Sequence, residues 1–539
     1  MGFGSGLNFL TTWKAWSKID YHNKELHFYS IENNPLKKED AKRILSEFED
    51  LKPFVNAFLN LYPINCKGVQ RIYFREHNVY LTILFRDIDE SISTLTSLTH
   101  NFDAWYLDGF SPDRNPSMWS EKILKTLQIC SNQNTSFSTF SSSSLLKKNL
   151  NTVGAEVSIV KGFAKKKHMI SGILKGKKST SIRKSKKVAI IGAGIAGCSL
   201  AHSLSKRGHN SVIFEKKNDL CLGASGINAL IGYPRLSAFN STFARFLANS
   251  YIYATRFYES LNSTGWNKTG VLILDTNELS NKRIKELSKL AEHHQLYKVV
   301  SAEEGSKISG IELTKNGLFF PSSGWIDPYK ICKDILDESG AELHFNEEVL
   351  SIAGTGRSPR LLTAINDYDF DAICLCNSYE ANTLASVEGI HIKRGQLTHI
   401  APNKYINGLK TPLCGKGYIS PLINNHHIIG STYSNDVNLQ PSKKDNLKNL
   451  SIFEDIFNNS IPEKDIKNQK VGLRATTLDF LPIAGKGPNV YLNICHGSRG
   501  SLSAPFCSEY LADLITGTPH LLEKDTVDAI SWNRFNLKS

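Results

Sequence analysis

A glycine-rich turn between an apolar run and a helical pattern constrains the fold of this chain more than any other feature. Val188–Ile191 is a short apolar run, GAGIAG follows it at once, and Ala196–Lys206 has helical spacing. In such a turn Gly192 permits the tight bend, Gly194 lets a pyrophosphate approach the backbone, and Gly197 lets helix and strand pack closely. Because the helix N-terminus offers free N–H groups to phosphates, the turn predicts a nucleotide-binding unit.

An acidic residue stands where such a unit needs one. Glu215 follows the next apolar run, Val212–Phe214, and lies 18 residues after Gly197. A carboxylate near this spacing accepts hydrogen bonds from ribose hydroxyls. The alternative is an ordinary strand–turn–helix without a ligand. With strand, helix and acid in order, we predict dinucleotide binding.

The chain is too long for a single hydrophobic core. One core supports about 250–300 residues and this chain has 539, so at least two domains are expected. A segment rich in Lys, Ser, Gly and Thr marks the break, and we predict domains at 1–174 and 188–539 joined by a basic linker at 175–187. The first domain has an α/β pattern, with a helix at Lys122–Ile129 and strands at Leu26–Ile31, Val79–Phe85, Ala104–Leu107 and Val157–Val160.

Composition excludes several classes of protein. No run of about 18 apolar residues is present that would span a bilayer, and no basic, then apolar, leader follows Met1. The ten cysteines are scattered without the paired spacing of a zinc site, so no metal is predicted. Reduced thiols fit the cytoplasm, and we expect a monomer there with no membrane partner.

Two further segments distinguish FAD from NAD. Gly223-Ala224-Ser225-Gly226 follows the acid closely, and His496-Gly497-Ser498-Arg499-Gly500 precedes a helical segment at Ala504–Thr516. A late helix suits a flavin, because its N-terminal dipole stabilises the negative charge of the reduced ring. We therefore predict that Ser225, Gly497, Arg499 and Gly500 contact FAD.

The first domain opens with a second glycine turn. Gly2, Gly4 and Gly6 lie in GFGSGLN, Glu32 ends the next strand, and acids follow the later strands at Asp87 and Asp108. This order is typical of class I methyltransferases, in which the glycine turn and first two acids hold S-adenosylmethionine. Acids at strand ends are common, so a Rossmann unit without a cofactor stays open from spacing alone.

Longer strings in the second domain resemble the D-amino-acid-oxidase-like FAD superfamily, near glycine and sarcosine oxidases. The matching pieces are the glycine turn, Glu215, the strand IIGST at Ile428–Thr432 and GLRATTLDFLPIAG from Gly472 to Gly485. The resemblance implies that Arg474 binds the substrate carboxylate, a role that suits a guanidinium fork. A surface salt bridge is the alternative for Arg474.

Across nearly its whole length the chain resembles the MnmC-type bifunctional tRNA-modification enzymes. The strings are FGSGLNFLTTWKAW, YSIENNPL, WYLDGFSPDRNPSMW and KGFAKKKHMISGIL in the first domain, and KKVAIIGAGIAG to GSRGSLSAPFCSEYL in the second. The resemblance implies that the flavin half removes the carboxymethyl group of 5-carboxymethylaminomethyl-(2-thio)uridine at the tRNA wobble position. The transferase half then methylates the exposed amine.

The same resemblance suggests roles for three residues of the first domain. Asp108 in LDGFSP is the candidate for accepting a proton from the amine or orienting it. Phe110 and Trp119 either stack the flipped base or belong to the core.

Family members carry a first strand and an acid ahead of the glycine turn, whereas this sequence starts within the turn. The first domain is therefore expected to be N-terminally incomplete, with weak or absent methyl transfer.

Two other functions stay open. One is a free-standing FAD amine or amino-acid oxidase with an inactive N-terminal remnant. The other is an RNA-binding protein whose nucleotide folds are inactive.

Positive charge is concentrated in one strip, Lys161–Lys187. It holds eleven Lys or Arg and no acid, against a net charge of +13 for the whole chain. A solvated linker is one interpretation, and a polyanion site that gains affinity by releasing counterions is the other.

If the strip binds tRNA, removing its charge weakens binding of all tRNAs alike. Each phosphate contact contributes about −0.7 to −0.9 to the slope of log affinity against log salt. We expect that neutralising five lysines flattens this slope by several units: Lys165, Lys166, Lys167, Lys177 and Lys178. Binding titrations at a series of salt concentrations measure it, and a slope equal to the parent's identifies the strip as a solvated linker.

Overall fold

The computed structural model describes residues 1–20, 24–98, 101–109, 115–162, 167–177, 185–237, 239–290, 295–354 and 359–535. The chain forms two compact units, Met1–Lys184 with Asp513–Val527, and Ser185–Ala512 with Asp528–Ser539. The break between them lies within the predicted linker. The segment Asp513–Val527 differs from the predicted boundaries, since it was assigned to the second domain and belongs to the first unit.

The first unit contains seven strands and six helices within the described residues. The strands are β1 Leu26–Ile31, β2 Gly68–Phe74, β3 Val79–Phe85, β4 Phe102–Tyr106, β5 Ser131–Thr139, β6 Glu156–Lys161 and β7 His168–Leu174. The helices are α1 Leu7–Trp16, α2 Lys38–Leu45, α3 Lys52–Asn60, α4 Ile88–Ser97, α5 Glu121–Ile129 and α6 Ser144–Thr152.

These strands form two sheets. The first sheet has three strands in the order β1-β3-β2, in which β1 is parallel to β3 and β2 is antiparallel to it. The second sheet has four strands in the order β4-β5-β7-β6, in which β4 and β5 are parallel and the other pairs are antiparallel. All seven residues of β3 are buried, as expected of a strand covered on both faces. Parallel neighbours end at one edge, so the residues that follow β1 and β3 come together there.

A buried ion pair fixes the segment Asp513–Val527 to the first unit. Arg71 on β2 donates from Nη1 to Asp513 Oδ2 at 2.6 Å, and the two side chains are 1% and 0% exposed. Arg71 also donates to Thr82 Oγ1 at 2.9 Å and to the carbonyl of Pro519 at 2.7 Å. A buried guanidinium needs such partners, because its desolvation is otherwise uncompensated. Sequence spacing does not reveal a pair separated by 442 residues.

The second unit contains most of the elements. Its strands are β8 Lys187–Ile191, β9 Asn210–Glu215, β10 Leu230–Gly232, β11 Trp266–Asn267, β12 Val271–Leu274, β13 Lys298–Val300, β14 Gly317–Phe320, β15 Gly324–Ile326, β16 Glu342–Phe345, β17 Val349–Ala353, β18 Arg360–Thr363, β19 Asp367–Asp369, β20 Ala372–Leu375, β21 His391–Ile400, β22 Leu413–Cys414, β23 Tyr418–Ile419, β24 His427–Gly430, β25 Ile466–Thr476, β26 Ile483–Lys486 and β27 Tyr491–Ile494. Its helices are α7 Ile195–Ser205, α8 Thr242–Ser260, α9 Glu278–Ser288, α10 Ala302–Ser309, α11 Pro328–Ser339, α12 Ala381–Leu384, α13 Lys443–Phe457 and α14 Gly500–Thr516, and α15 Lys524–Ile530 follows at the unit boundary.

Two large sheets organise the second unit. A six-stranded sheet runs β16-β9-β8-β20-β27-β26, parallel except for β26. An eight-stranded, mixed sheet runs β13-β14-β12-β22-β23-β24-β21-β25. The first is a Rossmann sheet with β8 at its centre, and the second belongs to a mixed substrate region. The predicted α/β class, with a Rossmann oxidoreductase and a mixed substrate domain, is confirmed.

The largest difference from the predicted elements is the start of α14. The sequence predicted a helical segment from Ala504, yet α14 begins at Gly500. Pro505 cannot donate to the carbonyl of Ser501, and the buried Tyr258 hydroxyl donates to that carbonyl instead, at 2.6 Å. The helix therefore continues through the proline.

Each described helix is too short or too polar to cross a membrane.

Arg71 offers a direct test of the buried pair. Replacing Arg71 by Met leaves the Asp513 carboxylate unpaired in the interior, and we expect a loss of about 3–5 kcal/mol in unfolding free energy of the first unit. Arg43→Met is the matched control, because its ion pair with Asp40 is exposed and is worth about 0–1 kcal/mol. Hydrogen exchange of peptides from β2 and β3 in urea measures the unfolding free energy of the first unit in both variants. Equal stability of the two variants would contradict the assignment.

Candidate active sites

The glycine turn of the second unit brings two stretches of backbone into contact. Gly192 has φ of +107°, a conformation that favours glycine. A Cβ added at Gly197 would lie 2.0 Å from the carbonyl oxygen of Gly192. Only a glycine at position 197 therefore lets α7 pack this closely on the turn.

Gly194 and Ser225 border the space in front of α7. A Cβ at Gly194 would meet Ser225 Oγ at 3.1 Å, and Ser225 Oγ accepts from the N–H of Ile195 at 3.3 Å. Ser225 thus stands at the N-terminus of α7, where an anion is favoured.

Glu215 lies beside the same turn. Its Oε2 accepts from the N–H of Ala193 at 3.0 Å, and its Oε1 accepts from the N–H of Lys217 at 3.1 Å. The carboxylate is thereby held next to the glycine turn.

One cavity of about 830 Å³ collects most of the predicted residues of this unit. They come from four distant parts of the chain and are Gly192, Gly194, Glu215, Ser225, Arg474, Gly497, Arg499 and Gly500. Gly197 lies behind the cavity, against Gly192. A cavity of this size, open at a glycine turn and bordered by a carboxylate, fits a dinucleotide such as FAD.

His496 lines the cavity and makes hydrogen bonds at the turn that precedes α14. His496 Nδ1 lies 2.9 Å from Ser503 Oγ, and Nε2 lies 3.1 Å from Asn493 Oδ1. Burial lowers the pKa of His496 to about 4, so the ring is neutral at pH 7. Gly497 follows with φ of +57° and leads into α14. The turn before α14 is thus held by neutral hydrogen bonds.

Arg474 on β25 is one of the cationic residues that line the cavity, with Lys216, Lys217, Lys416 and Arg499. Its Nη2 donates to Ser431 Oγ at 2.6 Å, and its guanidinium occupies the space that a Cβ at Gly395 would fill, 2.3 Å from Nη2. Burial lowers the pKa of Arg474, and Tyr418 and Tyr433 oppose that shift. Among the described residues no carboxylate pairs with it, so the salt-bridge alternative is not observed. Its charge is available to an anion.

Sequence reasoning missed Ser431 and Gly395. Ser431 lies within the quoted string IIGST, which was the available signal. Gly395 is in the strand paired with β25, opposite Gly472, and only the sheet register reveals its role.

The glycine turn of the first unit repeats this arrangement. Glu32 Oε2 accepts from the N–H groups of Phe3 and Gly4 at 3.0 and 3.1 Å. Gly2, Gly4 and Gly6 all have positive φ, at +79°, +55° and +87°. The predicted glycines and the first acid are therefore in contact.

The two other predicted acids of this unit lie at strand ends. Asp87 Oδ1 accepts from the N–H of Asp89 and caps α4. Asp108 is exposed after β4, and its Oδ2 accepts from Asn8 Nδ2 at 2.8 Å. A Cβ at Gly2 would lie 2.3 Å from the Asp108 carbonyl oxygen. Asp108 thus adjoins the glycine turn, and Asn8, in the quoted GSGLN, was missed.

Of the two aromatic residues considered for base stacking, the structure describes only Trp119. Trp119 is 2% exposed and belongs to the core, the alternative that the sequence left open. Phe110 lies outside the described residues. Within the basic strip the structure describes residues 161–162, 167–177 and 185–187, so Lys165, Lys166 and Lys178 also lie outside the described residues.

No group of three or more His, Cys, Asp or Glu in the described ranges is placed to hold a metal ion.

Together the two sites define a flavin-dependent oxidoreductase joined to a class I methyltransferase. The family described as FAD dependent oxidoreductase matches residues 187–514, and the family described as S-adenosyl-L-methionine-dependent methyltransferase matches residues 49–175. These matches assign FAD to the second unit and S-adenosylmethionine to the first.

Full-length relatives carry both parts in the same order. The tRNA 5-methylaminomethyl-2-thiouridine biosynthesis bifunctional protein MnmC of Legionella pneumophila (strain Lens) is 31% identical over 99% of this chain and 88% of its own. That of Nitrosospira multiformis is 29% identical over 98% and 88%. This chain therefore belongs to the MnmC family of bifunctional proteins.

Solved structures of lower identity share the fold of the flavin unit. Glycine oxidase from Geobacillus kaustophilus is 20% identical, with a TM-score of 0.55 over 65% of this chain and 99% of its own. L-proline dehydrogenase from P. horikoshii is 19% identical, with a TM-score of 0.56 over 66% and 100%.

Gly194 tests the dinucleotide cavity. Gly194→Trp fills the space in front of α7, so we expect the purified variant to lose its visible flavin spectrum. Gly194→Ala is the control, because its Cβ meets only the rotatable Ser225 hydroxyl at 3.1 Å and most flavin is retained. Full flavin occupancy in the Trp variant would exclude this cavity as the FAD site.

Proposed function

We propose that this chain completes a modified wobble uridine in tRNA in two steps. The flavin unit removes the carboxymethyl group of 5-carboxymethylaminomethyl-(2-thio)uridine, and the transferase unit methylates the resulting amine to give 5-methylaminomethyl-(2-thio)uridine. The observation that carries this proposal is Arg474, a cation without a carboxylate partner in the described residues, in the cavity that holds the glycine turn. The names of the full-length relatives support the tRNA substrate.

Oxidation requires that the substrate be held by its carboxylate. The modified base carries N–CH2–COO⁻, and Arg474 binds the two carboxylate oxygens while Ser431 fixes the guanidinium. This clamp orients the methylene carbon for reaction. The residues that would hold FAD are Gly192, Gly194, Gly197, Glu215, Ser225, Gly497, Arg499 and Gly500. The bound flavin would supply the acceptor for a hydride from that carbon, and the substrate nitrogen would lose its proton as the imine forms. Water then hydrolyses the imine, which yields glyoxylate and the primary amine.

Methyl transfer requires a neutral, oriented amine. Asn8 holds one oxygen of Asp108 at 2.8 Å, which leaves the other oxygen to accept the proton of the attacking amine. The turn of Gly2, Gly4 and Gly6 would hold S-adenosylmethionine together with Glu32 and Asp87, and the sulfonium of that cofactor would supply the methyl group. The amine lone pair forms the new N–C bond as the S–C bond breaks.

We place the reaction in the cytoplasm and assign it to a monomer. All ten cysteines are free and buried, which is consistent with a reducing compartment.

Arg474 tests the oxidative step. A charge-assisted clamp is worth about 1.5–3 kcal/mol, so Arg474→Ala lowers the rate of flavin reduction by modified tRNA by roughly tenfold or more. Arg474→Lys recovers little, because lysine lacks the planar fork. Anaerobic single-turnover flavin reduction measures both.

The matched control is Arg360→Ala, an arginine on β18 with exposed acidic partners. It should leave flavin reduction unchanged. If Arg474→Ala reduces its flavin at the parent rate, Arg474 is not the clamp.

A further inference from the structure

An exposed aromatic ring lies at the Arg474 end of the cavity. Tyr433 follows two residues after Ser431, whose hydroxyl accepts from Arg474, and all three residues line the cavity. Only one of the described aromatic residues in the lining is exposed, namely Tyr433, at 47%, and the others are Phe214, Tyr233, Tyr379 and Tyr418. Among the described residues the Tyr433 hydroxyl has no hydrogen-bond partner. This ring is therefore neither core nor used for its hydroxyl.

The backbone on both sides of Tyr433 is held by β21. The N–H of Arg394 donates to the carbonyl of Ser434 at 2.9 Å, and the N–H of Ser434 donates to the carbonyl of Arg394 at 3.1 Å. On the other side, the N–H of Thr432 donates to the carbonyl of Gln396 at 3.2 Å. A ring on a backbone held in this way loses little conformational entropy when a ligand binds.

Lys393 packs against the ring of Tyr433. Its Nζ lies 5.7 Å from the centroid of that ring, a cation–π distance, and it also donates to Asn435 Oδ1. Lys393 is the residue of β21 that pairs with Arg474 on β25. Directly opposed residues of an antiparallel pair project to one face of the sheet, so Lys393 and Arg474 are neighbours. The Lys393 contact therefore fixes the ring beside Arg474.

Apolar side chains continue the border of the cavity beyond Tyr433. Leu439 lines the cavity and is 57% exposed, and Val437 is 56% exposed. The buried guanidinium of Arg394 holds their loop by donating to two of its carbonyls. The cavity is thus bordered near Arg474 by an exposed ring and exposed aliphatic groups. Such a surface suits the flat face of a nucleobase, which stacks on aromatic side chains.

We infer that Tyr433 stacks on the uracil ring of the substrate while Arg474 binds its carboxylate. This inference rests on the proposed function and deepens it, because it names the residue that recognises the base. In the substrate only a methylene, a nitrogen and a second methylene separate the carboxylate from the uracil ring. A base whose carboxylate is bound by Arg474 therefore lies close to that residue, where Tyr433 is exposed.

The test compares two substrates of the FAD-loaded, full-length protein. One is the nucleoside 5-carboxymethylaminomethyluridine. The other is N-ethylglycine, which keeps the carboxylate, the methylene to be oxidised and the secondary amine but has no base. Anaerobic stopped-flow flavin reduction gives the apparent Kd and the limiting rate for each.

Three variants of Tyr433 separate stacking from other contacts. Tyr433→Phe keeps the ring, Tyr433→Leu keeps an apolar side chain without a ring, and Tyr433→Ala removes both. The matched control is Tyr329→Ala on α11, because Tyr329 is 44% exposed and lies outside the described cavity lining.

For the parent we expect the nucleoside to bind about fivefold or more tightly than N-ethylglycine, because stacking of one base on an aromatic side chain contributes at least that factor. In Tyr433→Ala and Tyr433→Leu this preference falls to about twofold or less, since the ring is lost. The Kd for N-ethylglycine and both limiting rates stay within about twofold of the parent values, because stacking contributes to substrate binding and not to the chemical step. Tyr433→Phe and Tyr329→Ala keep the parent preference.

Other results overturn the inference. A preference that survives in Tyr433→Ala or Tyr433→Leu excludes stacking, and a loss in Tyr433→Phe assigns the effect to the hydroxyl. An equal loss of N-ethylglycine binding, or a loss in Tyr329→Ala, indicates a role in the clamp or the fold. If N-ethylglycine fails to reduce the parent's flavin, the nucleoside Kd of Tyr433→Ala relative to Tyr433→Phe decides, and equal values overturn the inference.

Failure of the proposed function has a different signature. If neither the nucleoside nor modified tRNA reduces the parent's flavin, the proposed function itself is overturned. If modified tRNA succeeds and the nucleoside does not, the proposed function stands and the inference fails, because Tyr433 and Arg474 would then not suffice to hold the modified base.

Discussion

Close contact between backbone segments at the glycine turns is the constraint on which both candidate sites depend. In the second unit the contact of α7 with the turn leaves no room for a Cβ at Gly197. Both turns are completed by a carboxylate that accepts turn N–H groups, Glu215 from Ala193 and Glu32 from Phe3 and Gly4. The glycine turns of the two units therefore share one arrangement, in which a carboxylate accepts hydrogen bonds from the N–H groups of the turn. In each unit the carboxylate that we propose for the ribose also stabilises the glycine turn beside it.

The hydrogen-bond partners of Arg394 and Arg474 distinguish an arginine that stabilises the fold from one that is available to a ligand. Arg394 lies in the core of the substrate region, where Asp445, Gln396 and backbone carbonyls satisfy it. Arg474, on the paired strand, has only the hydroxyl of Ser431 among the described residues. Desolvating a charge is costly, so a guanidinium without an acidic partner is favoured only where a ligand supplies the anion. The contrast within one sheet supports a binding role for Arg474.

Local patterns predicted much of this molecule. Strand, turn and helix around GAGIAG follow from periodicity and glycine spacing, which depend on neighbouring residues alone. The observed β8 starts one residue before the predicted strand, and α7 starts and ends one residue before the predicted helix. The contacts of Ser431 and Gly395 with Arg474 depend on the pairing of β21 with β24 and β25. Local sequence patterns do not encode that pairing. Trp119 fitted either a base-stacking or a core role, and only its burial decides between them.

The return of Asp513–Val527 to the first unit makes the transferase fold discontinuous in sequence. During synthesis Arg71 is made 442 residues before Asp513, the carboxylate with which its guanidinium pairs in the folded unit. A fragment that ends at the basic strip lacks Asp513. The Arg71 guanidinium would then be either buried without a carboxylate partner or exposed to water. The first unit is thus completed only after most of the second has been synthesised, and one cut between residues 184 and 185 would leave Asp513–Val527 on the wrong fragment.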